Sequence, residues 1–432
     1  MEELNVNRIE IASAKVSEGE MKAVKLITDW ARELGLLEKI EILSFVDGGS
    51  SIKWMEKAGA KTQNLLTKGS INHLKNQIKK TPSQHFQDIS NVIQYAEDNG
   101  IKNNVYLEDW SNGMMNSKSY VMDMVQFLSE KNVDRILLPD TLGVLTPELT
   151  KEFIREMTGN FPNIHFDFHA HNDYDLSVAN VIESIQNGCN GIHITVNGMG
   201  ERAGNAPLAS VVAVVNDFLN GYKIDINEKS LHKVSKLVSN FSGFRIPVNK
   251  PIVGDNVFTQ TAGIHADGDN KKNLYFNDLL PERFGRKRKY ALGKMSGKAN
   301  IKKNLDELGL TLSDEEIEKV TDRIILLGDK KEKVTIEDLP YIISDVIDSS
   351  NYKYKTVISS YELSHKKNSP PFAEIEITIN KKTFIENGTG DGQFDAFMNA
   401  IKKVYKKNNI LLPQLVDYEV TIPPGSNSDA LC

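Results

Sequence analysis

Phe166-Asp-Phe-His-Ala-His-Asn-Asp173 runs from a strand-like apolar start into a polar end. Side chains of an extended segment alternate between two faces, so His169 and His171, two apart, point the same way. A single histidine would read as structural. Two imidazoles converging at a strand end, followed by Asn172 and Asp173, suit a divalent metal held by nitrogen and oxygen donors. What the pair lines depends on the segments on either side of it.

Upstream, short β-branched runs alternate with amphipathic stretches. Strands are expected at Arg8–Ala12, Ile40–Phe45, Thr62–Leu66, Asn104–Leu107, Arg135–Leu138, His165–Phe168 and Gly191–Val196. Helical patterns fill the intervals, among them Glu18–Leu34, Pro82–Asn99, Ser117–Lys131, Pro147–Asn160 and Leu176–Asn187. A strand roughly every 25 to 40 residues, each followed by a helix, describes βα units on a parallel sheet. No G-x-G-x-x-G turn follows the first strand, which argues against an open dinucleotide-binding sheet. Polar residues instead follow nearly every strand: Ser44, Lys68, Glu108, Asp140, His169 and Asn197. Functional groups shared among many strand ends belong to the mouth of a (β/α)₈ barrel. Seven strands are legible where such a barrel has eight, and Met1–Val6 reads as the end of a helix entering strand two. The expected fold is α/β, a TIM barrel lacking its first strand, over residues 1–225.

The next strand end carries Asn197-Gly-Met-Gly-Glu-Arg-Ala-Gly-Asn-Ala206, whose glycines allow a tight turn across the mouth. Asn205 offers a neutral oxygen to the metal, while Glu201 and Arg202 suit a supporting pair behind the ligands. Glu108-Asp109 and Asp140-Thr141 follow earlier strands and are candidates for acid–base work or for orienting a metal-bound water. Ser70 and His73 open the helix after the third strand. His265, within Thr261-Ala-Gly-Ile-His-Ala-Asp-Gly268, lies beyond the barrel and could reach an active site as part of a lid or from a neighbouring subunit.

After Tyr222 the βα rhythm stops. Residues 226–348 read as helical linker subdomains, with a helix at Leu231–Phe241, a loop region from Gly243 to Gly297 and charged helices from Lys302 to Asp348. A composition change at Ser349–Lys355 opens a last α+β domain, 349–432. Its expected strands are Ala373–Ile379, Thr383–Glu386 and Leu415–Ile422, with a helix at Gln393–Lys407.

The net charge of −6 lacks the basic face that nucleic acid requires. The basic stretches Lys75–Lys80 and Arg283–Lys289 read as solvated surface. Cys189 and Cys432 sit outside any ligand spacing, no apolar run approaches the ~18 residues of a membrane span, and the N-terminus has no signal core. A cytoplasmic protein with no nucleic-acid or membrane partner is expected.

Five motifs in order carry a resemblance: Leu138-Pro-Asp-Thr-Leu-Gly143, the HAHND run from His169, the GERAGNA loop from Gly200, the AGIHADG loop from Ala262, and Leu292-Gly-Lys-Met-Ser-Gly297. Together they resemble the α-isopropylmalate synthase and homocitrate synthase family of acyl-CoA condensing enzymes, over nearly the whole chain. The resemblance implies that His169, His171 and Asn205 bind a divalent metal (Mg²⁺, Mn²⁺ or Zn²⁺) that chelates a 2-oxo acid. Acetyl-CoA, the co-substrate, would lose a methyl proton, attack the keto carbon as its enolate, and then be hydrolysed. Glu108 is implied as a catalytic acid, Thr141 with Asp140 as substrate-binding, and His73 as part of the pocket. His265 is implied to come from the partner subunit of a homodimer, and steering of CoA phosphates by Arg283–Lys289 is a minority reading.

The last domain resembles the family's leucine-sensing regulatory domain, with Gly388–Ala396 at its strand-to-helix turn, and implies a leucine effector in the complete protein. Two departures stand out. The family's first-strand pattern Asp-x-x-x-Arg-Asp-Gly-Glu is absent, and Met295 stands where relatives often carry His. Only one ββα unit and the start of a second are legible, so the chain is expected to be cut at both ends. The expected activity is of the 2-isopropylmalate synthase type, acetyl-CoA plus 3-methyl-2-oxobutanoate, the first committed step to leucine. The alternatives are a citramalate- or homocitrate-type condensation, or a catalytically incomplete fragment.

Overall fold

The β-branched runs pair side by side in the order they occur. The computed structural model describes residues 2–269, 271–272, 274–330, 334–347 and 356–412. Strands β1 (Ile9–Ser13), β2 (Ile40–Phe45), β3 (Thr62–Lys68), β4 (Lys102–Glu108), β5 (Arg135–Asp140), β6 (Phe166–Ala170) and β7 (Gly191–His193) form one seven-stranded sheet in sequential order. Each pairs in parallel with the next. Helices α1 (Glu18–Glu33), α2 (Ser50–Ala58), α3 (Ile71–Asn76), α4 (Pro82–Asp98), α5 (Trp110–Asn116), α6 (Lys118–Ser129), α7 (Pro147–Asn160), α8 (Ser177–Gln186) and α9 (Leu208–Phe218) lie between and after them. This is the α/β TIM-barrel architecture expected from the sequence, in seven strands.

The helix starts follow from local chemistry. Thr81 and Gln84 form a reciprocal capping box with Pro82 in the first turn of α4, and Thr146 caps α7 ahead of Pro147. One face of the strands packs outward: Ile42, Leu65, Val105, Leu107, Ile136, Leu138, Phe166 and Phe168 are buried with helix residues such as Ile52, Met55, Ile89 and Met124. Phe168 meets the ring of Trp110 on α5 edge-on. Strand β7 ends earlier than expected, and a 3₁₀ turn at Val196–Gly198, with Asn197 at a positive φ of 62°, follows it.

The opposite strand face is polar. Arg135 on β5 donates to Asp167 on β6 at 2.5 Å, to Glu41 on β2, and to Asn104 on β4 at 3.2 Å. Asn104 in turn donates to Asn64 on β3 at 2.8 Å. All five side chains are buried. A charge removed from water needs partners on every side, and here one guanidinium serves two carboxylates.

Beyond the barrel, α10 (Leu231–Ser242) leads to a short parallel pair, β8 (Thr259–Gln260) with β9 (Lys289–Tyr290), and to α11 (Gly263–Asp269), α12 (Lys298–Leu308) and α13 (Asp314–Asp329). The arginines of the basic stretch have local partners: Arg283 pairs with Glu228 and Asp217, Arg286 donates to the carbonyls of Ile252 and Gly254, and Arg288 lies over the Phe276 ring. These three arginines are held within the fold, while Lys287 and Lys289 of the same stretch are exposed.

Residues 337–432 form a second compact unit. It contains α14 (Leu339–Ile347), an antiparallel sheet of β10 (Thr356–Ser364), β11 (Phe372–Ile379) and β12 (Lys382–Thr389), and α15 (Gln393–Lys407). Ile375, Ile377 and Ile379 pack against Ala400 and Val404. A Cβ at Gly388 would lie 2.4 Å from the Ala396 carbonyl oxygen, so glycine lets the helix rest on β12. Strand β10 was not anticipated: nearly all its residues are exposed, and no apolar alternation marks it. The expected strand Leu415–Ile422 and the junction Ser349–Lys355 lie outside the described residues. No helix among the described residues is long and apolar enough to cross a membrane.

Candidate metal and substrate site

The polar strand ends meet at the carboxyl ends of β3 to β6. The glycine loop folds back along the end of β6: Ala206 N–H donates to the Ala170 carbonyl at 3.1 Å, and Asn172 N–H to the Gly204 carbonyl at 2.9 Å. His171 and Asn205 thereby form an antiparallel bridge, which sets the two residues side by side. Gly204 has a φ of +85°, and a Cβ there would lie 2.0 Å from the Gly198 carbonyl oxygen, so the loop requires glycine. The rings of His169 and His171 are 5.2 Å apart. Nδ1 of His169, Nδ1 of His171 and Oδ1 of Asn205 are buried and have no hydrogen-bond partner. Buried polar atoms are normally satisfied, so three orphans on adjoining segments call for a missing partner. Two imidazole nitrogens and an amide oxygen fit a divalent cation.

Burial, then the neighbouring His193 and His171, holds the His169 imidazole well below its ordinary pKa. Burial and the Arg202 guanidinium lower that of His171. Both rings are therefore neutral near pH 7, the form that carries a free lone pair. Two residues missed in the sequence reading flank His169. The Tyr106 hydroxyl lies 2.6 Å from His193 Nδ1, and the two rings stand steeply inclined to His169 at 6.0 and 5.9 Å. Alternation along β4 could have found Tyr106, which is two residues from Glu108.

Arg202 donates to Asp173 at 2.7 Å and to the Thr141 carbonyl at 2.8 Å, joining the loops after β5 and β6. Glu201 is 3.6 Å from Arg202, but its side chain is 85% exposed. The stronger partner of Arg202 is thus Asp173, not the adjacent Glu201.

A second cluster adjoins the metal donors. Lys68 pairs with Glu108, and Glu108 Oε1 lies 4.0 Å from His73 Nδ1. Ser70 donates to Asp109 at 2.6 Å, and the Asp109 N–H donates to the Thr141 hydroxyl at 2.8 Å. The Asp140 carboxylate accepts the Val144 and Leu145 N–H groups at 3.0 Å each, holding the turn that contains Thr141. His73, Glu108 and Thr141 are therefore brought into one neighbourhood. His265 is half-buried and packs on Tyr275 at 4.2 Å. Among the described residues no hydrogen bond, ion pair or ring contact joins it to the barrel mouth.

His85, on α4, accepts the Lys68 N–H at 3.1 Å. Burial, then the nearby Lys80, depresses its pKa to about 4. The unfolded chain binds this proton near the ordinary 6.5 and the folded chain only near 4. The resulting stability is complete above pH 6.5 and is lost as pH falls toward 4, up to about 3 kcal/mol. The melting temperature is expected to fall over that interval, and less steeply in His85→Gln. Identical slopes in the two proteins would refute the assignment.

A family model described as HMGL-like matches residues 1–238, more than half of the chain. The chain belongs to the HMGL-like family. After the HMGL-like barrel, residues 252–332 match a homocitrate synthase post-HMGL domain and residues 333–432 a LeuA allosteric (dimerisation) domain. (R)-citramalate synthase of Methanocaldococcus jannaschii is 32% identical over 100% of this chain and 85% of its own. 2-Isopropylmalate synthase of Sulfurisphaera tokodaii is 34% identical over 78% of this chain and 85% of its own. These HMGL-like relatives support the synthase class expected from the motifs and divide on its member.

Proposed function

We propose that this protein is an enzyme that condenses the acetyl group of acetyl-CoA with a 2-oxo acid. The observation that carries the reading is the set of unpartnered donors His169 Nδ1, His171 Nδ1 and Asn205 Oδ1 in a barrel whose mouth also holds Glu108. Mg²⁺, Mn²⁺ or Zn²⁺ held there would act as a Lewis acid on a keto oxygen. Glu108 takes the proton of the acetyl methyl group and, acting as the acid, returns it to the keto oxygen, which becomes the product hydroxyl. The enolate carbon then bonds to the keto carbon, and water cleaves the thioester to release CoA. The Thr141 hydroxyl already accepts the Asp109 N–H, which leaves its own O–H free to donate to the substrate carboxylate. Asp140 serves by holding the turn, so the expected substrate contact falls to Thr141. His265, half-buried and without a contact to the barrel mouth among the described residues, is assigned to the site of a second copy, a role that a dimerisation-domain match supports. The same domain supports an amino-acid effector, expected from the sequence to be leucine.

Pyruvate is the favoured acceptor, because relatives matched along the whole chain, last domain included, are a citramalate synthase and putative citramalate synthases. The second reading is 3-methyl-2-oxobutanoate, favoured by similar identity to a 2-isopropylmalate synthase. Release of CoA from acetyl-CoA is to be measured with pyruvate, 3-methyl-2-oxobutanoate and 2-oxoglutarate. A pocket shaped for a methyl group should prefer pyruvate by about 10-fold or more in kcat/KM. Preference for the branched acid moves the assignment to 2-isopropylmalate. Release with none of the acceptors ends the condensing reading.

A further inference from the structure

We infer that Lys68 is the positioning residue for Glu108. The two are register partners at the carboxyl ends of β3 and β4. The Lys68 side chain is 11% exposed, and its ammonium pairs with Oε2 of Glu108. A lysine so far out of water is costly unless its charge is matched, and Glu108 is the match. Its backbone is held from both sides by side chains: His85 Nε2 accepts its N–H at 3.1 Å, and the Tyr120 hydroxyl donates to its carbonyl at 2.8 Å. The ammonium therefore starts from a fixed point.

This arrangement divides the Glu108 carboxylate. Oε2 is taken by Lys68, while Oε1 lies 4.0 Å from His73 Nδ1, a buried nitrogen with no partner. That separation is too long for a hydrogen bond, and each atom is left free to meet a third group. Lys68 thus turns one carboxylate oxygen toward the reacting substrate and removes the freedom of an unpaired glutamate, the kind of pre-orientation that lowers a barrier. What Glu108 acts on rests on the condensing reading. That Lys68 fixes its position does not.

The test uses the full chain loaded with Mn²⁺, carrying Lys68→Met, Lys68→Arg, Glu108→Gln and the double change K68M/E108Q, with a crystal structure of the methionine variant. Lys68→Met is expected to lower kcat by about 10- to 100-fold with the KM for pyruvate within about threefold. Arginine should restore most of it. Glu108→Gln should cost about 10²- to 10⁴-fold, and the double change should be no slower than that. In the crystal the Glu108 carboxylate of the methionine variant should leave its place beside His73. Lys68→Gln carries the same readouts if the methionine protein does not accumulate. The inference is overturned by a raised KM at unchanged kcat, by additive losses in the double change, or by an unmoved Glu108. An unsubstituted protein silent with every acceptor would sink the condensing reading alone, because the crystal structure still decides the position of Glu108.

Discussion

Replacing His171 or His169 with alanine is expected to lower divalent-metal affinity by well over the ~10- to 100-fold that loss of an outer partner of a metal ligand costs. Each change removes one of three donors. The imidazole nitrogens concerned are buried and unpartnered in the metal-free protein, a condition that costs about 1–3 kcal/mol each. Their removal should therefore leave the metal-free melting temperature unchanged or raised, which separates a ligand from a packing residue. Titration calorimetry with Mn²⁺ or Zn²⁺ measures the first effect and thermal melting the second. The depressed pKa values of both histidines add a pH signature. Protons compete with metal only below the lowered pKa, so affinity should persist through pH 6.5 and fail at more acid values. Full metal affinity in both variants would remove the site.

Arg135→Met is expected to cost about 3 kcal/mol of stability, because it takes from the buried Glu41 and Asp167 the guanidinium they share and leaves Glu41 only the half-exposed Arg8 at 3.4 Å. The melting temperature should fall by roughly 10 °C for a domain of this size. The effect belongs to the broken pair and not to the presence of charge. Replacing Glu41, Arg135 and Asp167 together by apolar residues of similar volume should recover much of the loss. Urea unfolding of the three proteins measures it, and a loss below about 1 kcal/mol for Arg135→Met would mean that water reaches the carboxylates.

Much of the barrel was legible because its signals are local. Thr146-Pro147 begins α7 where expected, β2 has the expected limits, and α15 starts at Gln393. Period-two alternation was enough to place His169 and His171 on one face. The same alternation taken one step back puts Asp167 there too, a reading not drawn from the sequence. Strand β10 stayed hidden because an exposed strand carries no apolar period. Tyr106 and His193 stayed hidden because each resembles an ordinary strand residue until the sheet sets it beside His169.

The common face of His169 and His171, the order of the βα units and the family were legible in residue types at short spacings, where backbone geometry alone dictates which side chains share a face. The meeting of His171 with Asn205, the division of labour within the Glu108 carboxylate, and the sharing of Arg135 between Glu41 and Asp167 were decided by the tertiary structure. Each joins residues from different strands or loops. Their distances depend on strand register and barrel curvature, which no local pattern encodes.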